Sequence, residues 1–165
     1  GEISDKDIYH EFRSYRKDMR NWIHDLKPGQ SAFENDDPLK RPHRVIEGKI
    51  VPNVQKNGDK YTRQQWEKVA PCIHTRNDIL ASQNTIHPVD DRVFSIRELM
   101  RMMNIPTSFK WSDIPENELN RMTMEEKKKF LKKNEINIRQ SIGEAVPTVI
   151  MYKIAKNIKE ELNNE

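Results

Sequence analysis

The sequence predicts a small α+β domain, and three observations carry that prediction. Apolar residues recur at helical steps near both ends, two capping-box signatures stand between residues 95 and 126, and the middle of the chain breaks into short β-like pieces separated by Pro, Asn, Asp and Gly. With 165 residues the chain suffices for one ordinary core rather than two. Its polarity, 33% charged against 35% apolar, leaves much of it for surfaces and loops.

From the N-terminus, Ile8, Phe12, Tyr15, Met19, Trp22, Ile23 and Leu26 follow steps of four and three, which predicts an amphipathic helix over residues 4 to 26. Ser4 would cap it and Pro28-Gly29 would stop it. Residues 31 to 91 read as an irregular β-rich lobe, with strand-like pieces at Arg44 to Val51 and Val69 to Thr75 and a hairpin turn at Asn57-Gly58. Ser95 and Glu98 form a capping box that opens a helix to Met103, and Pro106 closes it. Thr123 and Glu126 repeat the signature before a lysine-rich helix to about Lys133, whose cations suit a solvated face. Val146, Ile150, Ile154, Ala155, Ile158 and Leu162 give a last amphipathic helix from Pro147 to Leu162 that must pack on something.

Composition narrows the function classes. The net charge of +3 predicts no strong global attraction to nucleic acid, so DNA binding would rest on local arrangement. One cysteine, Cys72, forbids an internal disulfide, and no apolar run could span a bilayer, so a reducing cytoplasm is the expected location. Cys72 is expected to be a small buried apolar residue rather than a nucleophile. Cys72 and His74 are too few for a zinc site, and the five glycines form no phosphate or nucleoside cradle. Glycine rather than methionine at position 1 suggests numbering that starts inside a longer protein.

Two stretches, in order, bear a family resemblance. The run from Arg92-Val93-Phe94-Ser95-Ile96-Arg97-Glu98 through Arg101 to Pro106 and Phe109 resembles the ninth motif of the DNA cytosine-5 methyltransferases. Gln140-Ser141-Ile142-Gly143-Glu144-Ala145-Val146-Pro147 resembles their tenth, and Trp66 to Pro88 looks like the end of their target recognition region. The resemblance implies a C-terminal portion of such an enzyme, in three parts: an N-terminal helix over 1 to 30, a recognition lobe over 31 to 91, and a ninth-and-tenth-motif region over 92 to 165. Its C-terminal helices would dock on an α/β catalytic lobe of the same or a companion chain. It further implies double-stranded DNA as partner, a restriction-modification setting, and S-adenosylmethionine as the donor for the complete enzyme, though not for this chain alone.

The family's Pro-Cys-Gln nucleophile and Glu-Asn-Val settings do not occur, so no catalytic residue is assigned here. By the resemblance, Gly143, Glu144 and Ala145 would border the cofactor, although Glu144 replaces the family's asparagine and puts a carboxylate near the donor's own carboxylate. Thr75, Arg76, Asn77 and Gln83 offer base-edge chemistry, since Arg suits guanine and Asn or Gln adenine. Arg92, Arg97 and Arg101 would reach phosphates or brace the lobes. The alternative is a non-catalytic DNA-binding or protein-interaction module derived from such an enzyme, which Glu144 favours. An unpartnered last helix would stay exposed or dimerise.

Overall fold

The computed structural model describes residues 2–54, 60–82 and 85–163. Asn57-Gly58, Gln83 and Asn84 lie outside the described residues. The fold is α+β, as the sequence predicts. Among the described residues, two antiparallel pairs, β1 (Glu2–Ile3) with β2 (Glu11–Phe12) and β3 (His43–Ile46) with β4 (Lys49–Pro52), accompany five α-helices: α1 (Lys17–Ile23), α2 (Ile96–Met102), α3 (Glu116–Arg121), α4 (Met124–Glu144) and α5 (Thr148–Leu162).

The helix expected over residues 4 to 26 is corrected to Lys17–Ile23. Tertiary contacts override the apolar spacing before it. The Ser4 amide donates to the His10 carbonyl (3.1 Å), and Asp7 Oδ1 accepts from the Tyr9 amide (3.0 Å), closing a tight loop between β1 and β2. That loop is pinned from three sides. The Arg97 amide donates to the Tyr9 carbonyl, the Ile8 amide donates to Asn120 Oδ1, and Lys127 Nζ donates to the Asp5 carbonyl (2.8 Å), which buries one lysine of the run read as a solvated face.

Both capping boxes form as expected. Ser95 accepts from the Glu98 amide while Glu98 accepts from the Ser95 amide, and Thr123 and Glu126 do the same for α4. α4 does not end near Lys133. It continues to Glu144 because Leu131, Ile138 and Ile142 recur on its buried face, so Gln140 to Glu144 form its last turn instead of a loop. No strand forms over Val69 to Thr75, where Pro71 removes a donor and only Ile73 enters the core. Cys72, expected to be buried, is exposed.

Two clusters of apolar side chains make the interior. One joins Ile8 and Tyr9 to α2, α3 and α4 through Leu99, Met100, Leu119, Leu131 and Ile142; the other packs Trp22, Ile23 and Leu26 against Tyr61, Leu80, Ile86 and Val93. In the second, the buried Arg63 guanidinium substitutes for regular ladders. It donates to the carbonyls of Ile23 (2.7 Å), His87 (2.9 Å) and Asp90 (3.0 Å) and pairs with Asp91 (2.6 Å). α5 contributes no buried residue to either cluster. Its apolar side chains from Val149 to Leu162 are exposed, and Thr148 Oγ1 ties its start to the Asn104 carbonyl (3.0 Å).

Candidate nucleic-acid interface

The last turn of α4 lies directly on the loop that carries Thr75, Arg76 and Asn77. A Cβ at Gly143 would stand 2.4 Å from both C and O of His74 and 2.5 Å from the Thr75 amide nitrogen, so only glycine allows this approach. Asn77 ties the same seam: its Nδ2 donates to the carbonyls of His74 (2.7 Å) and Arg139 (2.8 Å). Its side chain is therefore buried in the seam, while Thr75 and Arg76 remain exposed beside it.

Beneath the loop runs a chain of alternating charges. Arg139 is buried and donates to Glu11 (2.6 Å), Glu135 (2.9 Å), Asn77 Oδ1 (3.3 Å) and the Phe94 carbonyl (2.9 Å). Glu135 also meets Arg13 (3.2 Å), Arg13 meets Asp78 (2.6 Å), and Asp78 meets Arg76 (2.9 Å). Three carboxylates thus balance three guanidinia, and the exposed end of the chain is Arg76. Burial pushes the Glu11 carboxyl upward despite Arg139. Sequence reading missed Arg139, Glu11, Arg13 and Glu135. The four-residue spacing of Glu135 and Arg139 was the available signal, hidden by ending the helix too early.

The remaining arginines divide. Arg92 forks onto Glu98 (2.8 and 3.1 Å), meets Asp90 (2.9 Å) and lies 4.1 Å over the Phe12 ring. Arg97 forks onto Asp7 (2.6 and 3.1 Å) and reaches Glu116 (2.6 Å). These guanidinia are engaged with carboxylates and join α2 to the N-terminal hairpin and α3. Arg101, by contrast, is exposed and forms no ion pair among the described residues. The structure therefore brings Thr75, Arg76, Asn77 and Gly143 together and leaves Arg92, Arg97 and Arg101 along α2 and its approach.

Burial raises the Asp78 carboxyl, but its bonds to Arg76 and Arg13 outweigh that and hold it below the usual range; Glu98 is lowered in the same way by Arg92 and the Ser95 amide. Stability from a depressed carboxylate is complete above its unfolded pKa of about 4 and is lost as pH falls through the lower folded value. Asp78→Asn is expected to cost about 1 kcal/mol at neutral pH. Urea unfolding at pH 7 and at about pH 3 should show a smaller acid loss in the variant than in the parent; equal losses would remove Asp78 from the account.

Gly143 rests on backbone, and Glu144 and Ala145 are exposed, with Glu144 accepting from Gln140 Nε2 (2.8 Å). A methyl-donor nucleoside lying on these three residues would need a second body to enclose it, and an acidic side chain at position 144 does not suit a donor carboxylate. Among the described residues no group of three or more His, Cys, Asp or Glu side chains could hold a metal ion, and no helix is long and apolar enough to cross a membrane.

Comparison with known proteins adds two relatives. The chain is 31% identical over 162 residues to the type II methyltransferase M1.HgaI of Avibacterium volantium, covering 93% of this chain and 39% of that protein. It is 32% identical over 144 residues to the type II methylase M.HgiDII of Herpetosiphon aurantiacus, covering 87% of this chain and 34% of that protein. The chain matches a portion of a type II methyltransferase. It spans little more than a third of either curated relative's length. No family model matches it, and no solved structure does.

Proposed function

We propose that this chain is the C-terminal target recognition portion of a DNA (cytosine-5-)-methyltransferase of a restriction-modification system. The complete enzyme transfers a methyl group from S-adenosylmethionine to C5 of cytosine in duplex DNA. The catalytic lobe, with its cysteine nucleophile, belongs to the same protein or a companion chain. The observation that carries this reading is the seam at Gly143: the tenth-motif-like turn is pressed against the loop whose Thr75 and Arg76 offer base-edge and phosphate chemistry. Arg101 supplies a further exposed cation on the ninth-motif-like helix. Arg92, Arg97 and Asn77 position these elements, and the turn at Gly143, Glu144 and Ala145 borders the cofactor once the catalytic lobe closes on it, with the Glu144 side chain held to Gln140 and away from the donor's carboxylate. The bare apolar face of α5 is what a docking helix presents before it meets that lobe.

The test is complementation. The chain is mixed with the N-terminal lobe of a matching methyltransferase, S-adenosylmethionine and a pool of duplexes, and the methylated nucleosides are identified after digestion. 5-Methylcytosine that requires both proteins is the expected product. N4-methylcytosine or N6-methyladenine would overturn the cytosine-5 assignment, and DNA binding without methyl transfer would favour the non-catalytic module that Glu144 permits.

A further inference from the structure

The loop from His87 to Arg92 turns on one imidazole. Its ends are drawn together by an antiparallel bridge between Ile86 and Val93 and by the His87 amide, which donates to the Arg92 carbonyl (2.8 Å). Inside it, His87 Nδ1 accepts from the amides of Val89 (3.3 Å) and Asp90 (3.0 Å). An asparagine or aspartate oxygen plays the same part in an Asx turn. Two backbone donors aimed at one ring nitrogen require its lone pair, so the proton of the neutral ring sits on Nε2. A proton on Nδ1 would set a third donor against those two amides.

The ring is buried, with the Trp66 ring at 5.7 Å and the Phe94 ring at 5.6 Å, both edge to face. Charged groups face it from every element around it. Asp90 Oδ2 of its own loop lies 3.4 Å from Nδ1, Glu98 Oε1 of α2 lies 3.9 Å from Nε2, and the Arg92 and Arg63 guanidinia act on the ring through space. Neither carboxylate is free to take up an imidazolium, since Arg92 forks onto Glu98 and also meets Asp90. Burial, and then Arg92, hold the imidazole below the usual histidine range despite the two acids.

The same loop seats the second apolar cluster. Three of the four groups that receive the buried Arg63 guanidinium belong to it: the carbonyls of His87 and Asp90 and the carboxylate of Asp91. We infer that His87 is an acid-sensitive latch: neutral, it closes the 87–92 loop and keeps Arg63 seated, and protonated, it releases the loop and with it the acceptors of Arg63. The latch needs neither DNA nor a catalytic lobe, so it stands or falls apart from the methyltransferase reading. An opened loop returns His87 to water, where it titrates near its ordinary value of about 6.5. Below that pH the open population therefore grows by about tenfold per unit, until the closed form also takes the proton.

NMR titration of the unaltered chain and of His87→Asn between about pH 8 and about pH 5 tests it, across the range in which histidine changes charge. Asparagine places an oxygen where Nδ1 lies and has no group to protonate in that range. In the unaltered chain the imidazole nitrogens should report the Nε2–H tautomer at the alkaline end and a midpoint below about 6.5. The Val89 and Asp90 amides should lose protection from hydrogen exchange by about tenfold per pH unit beneath that value, after correction for intrinsic exchange. The Ile138 and Ile142 amides within α4 should keep theirs, which separates local opening from global unfolding. His87→Asn should hold the loop amides protected throughout. A proton on Nδ1 at the alkaline end, or protection in the unaltered chain that does not change with pH, overturns the latch. An equal loss in His87→Asn overturns it as well and assigns the opening to the carboxylates around the loop or to His24.

Discussion

Arg139→Met is expected to destabilise the protein by about 3–5 kcal/mol, because it breaks a buried ion pair from one side. The side chains of Arg139 and Glu11 are 1% and 5% exposed, and no other described side chain donates a hydrogen bond to the Glu11 carboxylate. The substitution also strips a donor from the Phe94 carbonyl and from Asn77 Oδ1. Set against a total stability of about 5–15 kcal/mol for proteins in general, this is a large share, and the thermal midpoint should fall by about 10 °C. The signature that separates an orphaned charge from a lost packing volume is its pH dependence. Burial already raises Glu11, and Arg139 opposes that; without Arg139 the carboxyl rises further. A carboxyl whose folded pKa exceeds its unfolded value binds more protons when folded, so stability falls as pH rises, by about 1.4 kcal/mol per unit between the two values. Urea unfolding should therefore find the variant's deficit smaller at pH 5 than at pH 8, and Glu11→Gln should recover part of it at pH 8. A deficit independent of pH would mean that packing, not the stranded carboxylate, explains the loss.

What the sequence disclosed follows from the range of the interactions involved. The boxes at Ser95 and Thr123 were legible because both partners lie within one turn, and α5 was legible because its period of apolar residues is uninterrupted. The N-terminal segment misled because Ile8, Phe12 and Tyr15 fit helical steps, while the bonds that decide their fate come from Arg97, Asn120 and Lys127, about a hundred residues away. The same distance hid the charge chain, whose Glu11 and Arg139 are separated by 128 residues. Of the candidate site, the loop at Thr75 and Arg76 was readable as polar and exposed. That Asn77 would turn inward was not, since the carbonyls it serves belong to α4 as well as to its own loop.

Gly143 is where the local rule and the tertiary one conflict most sharply, and substitution there decides between them. Within a helix, Gly→Ala alone should stabilise by about 1 kcal/mol. Here the added methyl meets the His74 carbonyl carbon and oxygen at 2.4 Å, and backbone cannot swing aside as a flexible side chain would. The loop must retreat, and the Asn77 bonds to His74 and Arg139 stretch with it. Overpacking of this kind costs about 1–3 kcal/mol or more and so outweighs propensity. Gly143→Ala is expected to lose about 2 kcal/mol net and Gly143→Val about 3 or more, with the thermal midpoint falling by about 2–4 °C for each kcal/mol. Ser141→Ala, an exposed position in the same turn, should be neutral or slightly stabilising and serves as the control. The glycine's role at the seam also separates stability from function. In the complemented enzyme, Gly143→Ala assayed well below its melting point should still lose methyl transfer, because Thr75 and Arg76 move with the displaced loop. If alanine instead raises the midpoint as propensity dictates and leaves methyl transfer unchanged, the close approach of α4 to the loop is absent and the interface built on it fails.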